Sequence, residues 1–70
     1  MKFTTLVHVQ YANGVDEHVQ CTIHAEDLQQ VRMIAVKEIG DIAARYNTHV
    51  INMGEISIFP EEEPFGHANT

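Results

Sequence analysis

Cysteine, basic side chains and phosphate-cradling loops are scarce in this chain, and each scarcity removes a class of function. Cys21 is the only cysteine in 70 residues, so no disulfide can close within the chain and nothing points to an oxidising compartment. Lysine and arginine together number four, namely Lys2, Arg32, Lys37 and Arg45. Scattered along the sequence, they do not make the basic footprint that neutralises several phosphates, and direct nucleic-acid binding is not expected. No apolar run approaches the ~20 residues of a membrane span. Met1-Lys2-Phe3 opens like a signal peptide, but His8 and Gln10 break the apolar run too early for one. A cytoplasmic protein without membrane contact is the expectation. No Gly-rich phosphate loop, Cys-x-x-Cys pair, Ser-His-Asp spacing or paired-carboxylate motif is present. Neither catalysis nor a cofactor is therefore expected.

What is present is a small folded domain. Apolar residues at 44% against 20% charged separate it from disordered chains. A chain this short buries only about 60% of its unfolded surface, which limits it to one thin core. That leaves little room for a deep cleft within one copy, and a homodimer is a natural way to add buried area. The net charge is −6, but Glu61, Glu62 and Glu63 carry half of it. Residues 1–60 are expected to form the single domain, at about −3, and residues 61–70 an acidic tail, with Phe65 a candidate anchor on a partner. The three glutamates read as a solubilising run, the alternative being a phosphate mimic for a basic groove.

Residues 3–11 alternate strictly. Phe3, Thr5, Val7, Val9 and Tyr11 share one face and Thr4, Leu6, His8 and Gln10 the other, the period of a strand. Ala12-Asn13-Gly14 follows. A two-residue Asn-Gly turn would set Val9 against His18, an inward residue against an outward one. A three-residue loop with Gly14 left-handed removes that conflict and pairs Tyr11 with Val15, Val7 with Val19 and Phe3 with Ile23. Strand two then runs over residues 15–24 with Val15, Val19, Cys21 and Ile23 inward. Glu17 is the misfit on that inward face, and reaches solvent if it lies near the hairpin end.

Asp27 and Gln30 fit a capping box and start a helix. Leu28, Val31, Ala35, Ile39, Ile42 and Tyr46 make its apolar stripe, widened by Ile34 and Ala43, while Lys37–Asp41 and Asp41–Arg45 have ion-pair spacing. Gly40 lies off the stripe, which suggests a bend or an external contact, and Asn47 is a candidate stop. Residues 48–59 are extended again, with alternation that changes phase at Gly54. A bulge there, or a second short hairpin, accounts for the change, and Pro60 is expected to end the strand. The order β-β-α-β predicts an α+β fold. Its three-stranded antiparallel sheet has strand order 2-1-3, with the helix on one face and the other face open.

On that open face His8 and His18 become cross-strand neighbours, with His24 farther along. A divalent ion held by two imidazoles is one reading, but catalytic zinc needs three protein ligands, and exposed or interface histidines are the plainer one. At a dimer contact such a pair would weaken association below about pH 6.5, as both rings charge. Cys21 faces inward and reads as a small core residue, not a nucleophile. The candidate interaction residues are Leu6, His8, His18, Gln20 and Thr22.

The spaced set Ile23, Ala25, Leu28, Gln30, Arg32, Ile34, Ala35, Lys37 and Glu38 is similar to strand-to-helix junctions in small phage and mobile-element proteins. Short anti-CRISPR inhibitors are among these, and the resemblance ends at Glu38. It implies a phage-type accessory protein in a bacterial host cell, acting by binding. Together with the open face, this gives the leading expectation: steric inhibition or modulation of a host protein, such as a CRISPR–Cas or other defence complex. Two other expectations compete with it. One is a homo-oligomeric module for a small ligand, nucleotide signal or metal; the other is an enzyme subunit whose site forms only on assembly.

Overall fold

A computed structural model describes residues 1–61. Five elements follow in order: β1 (Lys2–Tyr11), β2 (Asp16–His24), α1 (Leu28–Arg45), β3 (Val50–Met53) and β4 (Ser57–Glu61). The strands form one antiparallel sheet in the order β2-β1-β3, β4 also pairs with β1, and α1 covers one face. This is the expected α+β architecture.

The hairpin has the register that alternation demands. Phe3 faces Ile23, Val7 faces Val19 and His8 faces His18. Gly14 has φ of +91°, its N–H donates to the Tyr11 carbonyl at 3.0 Å, and the Tyr11 N–H donates to the Val15 carbonyl at 2.9 Å. Only glycine adopts that φ at no steric cost. The Asn13 side chain accepts from the Val15 N–H at 3.0 Å, completing the loop. Val15 itself departs from expectation. It precedes β2 and is 48% exposed.

Helix α1 starts and stops on local chemistry. The Asp27 carboxylate accepts from the Gln30 N–H at 2.9 Å, and the Gln30 side chain accepts from the Glu26 N–H at 2.9 Å, one residue before the cap. At the other end Asn47 has φ of +57°. The Asn47 N–H donates to the Ala44 carbonyl and the Thr48 N–H to the Ala43 carbonyl, both at 3.0 Å. Those two bonds are the paired closure that a left-handed residue after a helix permits. The stripe that packs is narrower than expected: Val31, Ala35, Ile39 and Ala43 are buried, Ile34 and Ile42 partly so. Leu28 and Tyr46, expected on the stripe, are exposed. Leu28 opens the helix and Tyr46 is its C-cap, so both sit where the packed interface ends.

The core lies between α1 and the inner faces of β1 and β2. One group joins Val7, Val9, Tyr11 and Val19 with Ile39 and Ala43, and a second joins Phe3, Ile23 and Ala25 with Val31 and Ala35. The alanines let the helix backbone approach the sheet closely, as a core packed at solid density requires.

The last extended segment differs in detail from its sequence reading. It fills the third position of the sheet with two strands in succession, both antiparallel to β1. Val9 faces Met53, while Leu6 faces Ser57, so three residues (Gly54, Glu55, Ile56) stand against two. This one-residue surplus is the phase change read at Gly54. No separate hairpin forms, because the Gly54 N–H still donates to the His8 carbonyl at 2.9 Å and holds the segment on β1. A further register shift falls opposite Gln10 and Tyr11 and leaves Ile51 exposed. Pro60 does not end the strand. It pairs opposite Phe3 on the sheet edge, where its missing N–H costs no ladder bond, and β4 continues to Glu61. Glu61 therefore belongs to the sheet, while Glu62, Glu63 and Phe65 lie outside the described residues.

Candidate functional site

Side chains on the face away from α1 are ordered by the pairing. Each row crosses the sheet: His24–Lys2–Glu61, Thr22–Thr4–Phe59, Gln20–Leu6–Ser57, His18–His8, and Asp16–Gln10–Asn52. All five candidate residues, Leu6, His8, His18, Gln20 and Thr22, are exposed on this face. Three consecutive rows contain them.

Hydrogen bonds close both ends of the face. At the hairpin end, Asn52 Nδ2 donates to Gln10 Oε1 at 2.8 Å, Gln10 Nε2 donates to Asp16 Oδ2 at 3.3 Å, and His8 Nε2 hydrogen-bonds Asp16 Oδ1. The Gln10 amide and, against the opposing effect of burial, the His8 and His18 rings hold the Asp16 carboxyl below its usual range. The His8 and His18 rings stack, with centroids 4.8 Å apart and planes at 23°. At the other end Lys2 Nζ lies 3.5 Å from Glu61 Oε1, and the Thr4 hydroxyl donates to Glu61 Oε2. The middle is uncharged. Leu6 (38% exposed) and Phe59 (53% exposed) occupy diagonal positions there, flanked by Thr4, Thr22, Gln20 and Ser57. Apolar side chains inside a polar rim are the arrangement of a protein-binding patch.

Sequence reasoning missed Phe59. Its signal was available: with Ile56 and Ile58 inward after Gly54, Ser57 and Phe59 must face outward.

Strand β2 offers more than side chains. The Tyr11–Val15 hydrogen bond and the bond from the Ala25 N–H to the Met1 carbonyl (2.9 Å) fix which pairs in this ladder exchange bonds. Bonded and non-bonded pairs alternate in an antiparallel ladder, so Glu17, Val19, Cys21 and Ile23 point their backbone groups at β1. His18, Gln20 and Thr22 point theirs outward, along an edge with no neighbouring strand among the described residues. The opposite edge is blunted by two register shifts and Pro60, whereas β2 is nine unbroken residues without proline or lysine.

The two imidazoles of His8 and His18 meet as a stack. Among the described residues no group of three or more His, Cys, Asp or Glu side chains is placed to hold a metal ion. His24 lies six residues beyond His18 on β2, about 20 Å away at strand rise. Cys21 is half-buried between the two core groups, and burial, reinforced by the Glu38 charge, pushes its thiol pKa up. That is the reverse of the shift that activates a thiolate. No helix among the described residues is long and apolar enough to cross a membrane.

The fold and face define a small α+β protein with an antiparallel sheet covered on one side. Comparison with protein-family models, curated proteins and solved structures finds no match.

Proposed function

We propose that this chain is a non-catalytic, phage-type binding protein that inhibits or modulates a host protein by steric occlusion, with a CRISPR–Cas or other defence complex the leading target class. Contact is made through β2 and the open face beside it. The observation that carries this reading is the double presentation by His18, Gln20 and Thr22. Their side chains lie on the open face next to Leu6, while their backbone groups line the free edge. A partner strand added to that edge gains main-chain hydrogen bonds, and the face supplies the side-chain contacts that select it.

Capture from bacterial lysate tests the proposal. Wild-type protein is expected to retain a specific protein partner. Leu6→Glu places a charge in the uncharged middle of the patch. Gln20→Pro removes an N–H that serves only the outer edge. Each is expected to abolish capture while the circular-dichroism spectrum stays that of the folded chain. Retention of the same partner by both variants would overturn the assignment of the surface. Recovery of a bound nucleotide in place of a protein would overturn the function.

The same unbroken edge favours a second reading, in which two copies pair β2 to β2 as a homodimer and the sheet runs through both. Light scattering on the wild type and on Gln20→Pro separates the two. A dimer that Gln20→Pro converts to a monomer supports self-pairing, and a monomeric wild type ends it.

A further inference from the structure

Glu17 is the residue that neither the fold nor the open face explains. It occupies an inward position on β2, opposite the fully buried Val9, where alternation calls for an apolar side chain. The structure keeps it half-buried, and the Tyr11 hydroxyl donates to its Oε2 at 2.7 Å. The ion pairs among the described residues are Lys2–Glu61, His8–Asp16 and Lys37–Asp41, so none of them supplies Glu17 with a cation. A partly desolvated carboxylate without a cationic partner is unfavourable for stability alone.

Glu17 borders a cavity of about 130 Å³ at the hairpin end of the molecule. Tyr11, Asn13, Val15, Glu17, Tyr46 and Thr48 line it. Three parts of the chain that are distant in sequence meet there: the end of β1, the start of β2 and the C-terminal cap of α1. The cavity opens to solvent, its walls are mostly apolar, and its one charge is a carboxylate. It also lies at the C-terminal end of α1, which carries the negative pole of the helix dipole. Arg45, the basic residue of the last turn, makes no ion pair with Glu17. Aromatic rings, a carboxylate and a helix C-terminus all favour the same kind of guest, a positive charge with an apolar skirt.

Size narrows the choice. About 130 Å³ of space suits a small head group with part of its stem. This is far below the 300 Å³ or more of a drug-sized or nucleotide site. We infer that the cavity bounded by Tyr11, Val15, Glu17 and Tyr46 is a binding site for a compact organic cation, a guanidinium or alkylammonium head on an aliphatic stem. The head pairs with the free Glu17 oxygen and lies against the tyrosine rings, and the stem leaves past Val15. A free amine or an arginine or lysine side chain of another protein carries the same head. The site lies at the hairpin end and does not depend on the open-face reading.

Nuclear magnetic resonance of the tyrosine ring signals reads the site directly, because Tyr11 and Tyr46 are the only tyrosines. The probes are n-butylguanidinium, its neutral isostere n-butylurea, and the blocked peptide acetyl-Gly-Arg-Gly-amide. The guanidinium is expected to shift both tyrosines saturably at millimolar concentration, at least about tenfold more tightly than the urea, one decade being 1.4 kcal/mol. A peptide that binds more tightly than the free cation identifies a protein side chain as the natural source. A peptide that fails while the free cation binds identifies a small molecule. Glu17→Gln keeps the side-chain shape and can still accept from Tyr11, and it is expected to weaken the guanidinium about tenfold with an unchanged fold. Equal binding of urea and guanidinium, undiminished binding by Glu17→Gln, or no saturable shift from any probe overturns the site.

Discussion

Replacing Thr5 with valine is expected to stabilise this protein, against the usual direction of core substitutions. Thr5 is the only buried polar side chain among the described residues, with 0% of its surface exposed. Its hydroxyl donates to the Cys21 carbonyl across the hairpin at 3.5 Å. A good O–H···O bond spans about 2.7–2.8 Å, so this one returns less than the roughly 1 kcal/mol of an ordinary bond. Burying the hydroxyl costs about 1–3 kcal/mol. A methyl group in its place fills the same space and adds about 0.8 kcal/mol of apolar burial. The balance favours Thr5→Val by about 1 kcal/mol, which raises Tm by about 4–8 °C in a domain of this size. Urea denaturation followed by circular dichroism is the assay: the midpoint should rise with the slope unchanged. Thr5→Ala, which opens a void instead, should fall below wild type. A second readout is independent of stability. The Thr5 hydroxyl partly offsets the upward shift of the Cys21 thiol, so thiol alkylation at alkaline pH should be slower in Thr5→Val. A Thr5→Val protein less stable than wild type by 1 kcal/mol or more would refute the reasoning, by showing the long bond to be worth more than its geometry implies.

Three further outcomes follow from the same structure. Gly14→Ala and Gly40→Ala should have opposite signs. Neither would bring a Cβ within 4 Å of anything, so Gly14→Ala costs only its φ of +91°, about 1–2 kcal/mol, whereas Gly40→Ala gains about 0.8–1 kcal/mol of helix propensity in urea denaturation. Tyr11 is pushed up to about 12 by burial first, then by its hydrogen bond to Glu17 and the charge of Glu17. Its folded pKa is raised, so its contribution is fully present below the unfolded value of 10.0, falls away as pH climbs to about 12, and is at most about 2.7 kcal/mol. In Tyr46→Phe, where Tyr11 is the sole phenol, near-ultraviolet phenolate absorbance should show that late midpoint. Adding Glu17→Gln should bring it part of the way down. Asp16 shifts the other way: its folded pKa is depressed by Gln10 first and then by the histidines. It therefore stabilises the fold above its ordinary 3.8, and the gain is lost as pH falls through the lowered value. Thermal melts of Asp16→Asn should show a shallower acid limb than wild type, and an identical limb would remove Asp16 from the account.

The open face shows how far side-chain alternation carries. Leu6, His8, His18, Gln20 and Thr22 were placed together by strand period and hairpin register alone, and the structure brings them together in three adjacent rows. Phe59 completes that patch from β4, yet its position depends on the surplus residue at Gly54–Ile56, and a surplus moves every later side chain to the other face. Glu17 was visible as a misfit. Its meaning was not, because the tyrosine that holds it and the cavity it borders come from three separate elements.

The sequence by itself determined what short-range forces decide in this protein. Gly14, lacking a Cβ, accepts left-handed backbone and Asn47 tolerates it, the Asp27 carboxylate closes the helix start, and period-two alternation sets the hairpin register; each acts within a few residues. Only the tertiary structure decided where the packing of helix on sheet ends. Leu28, Tyr46 and Val15 fall outside that contact and are exposed, and the packed stripe narrows to Val31, Ala35, Ile39 and Ala43. The tertiary structure also joined β3 and β4 to one side of β1, left the β2 edge unbroken, and brought together the walls of the Glu17 cavity. These outcomes depend on the size and twist of one layer against the length of the other, a relation between surfaces that no local run of residues contains.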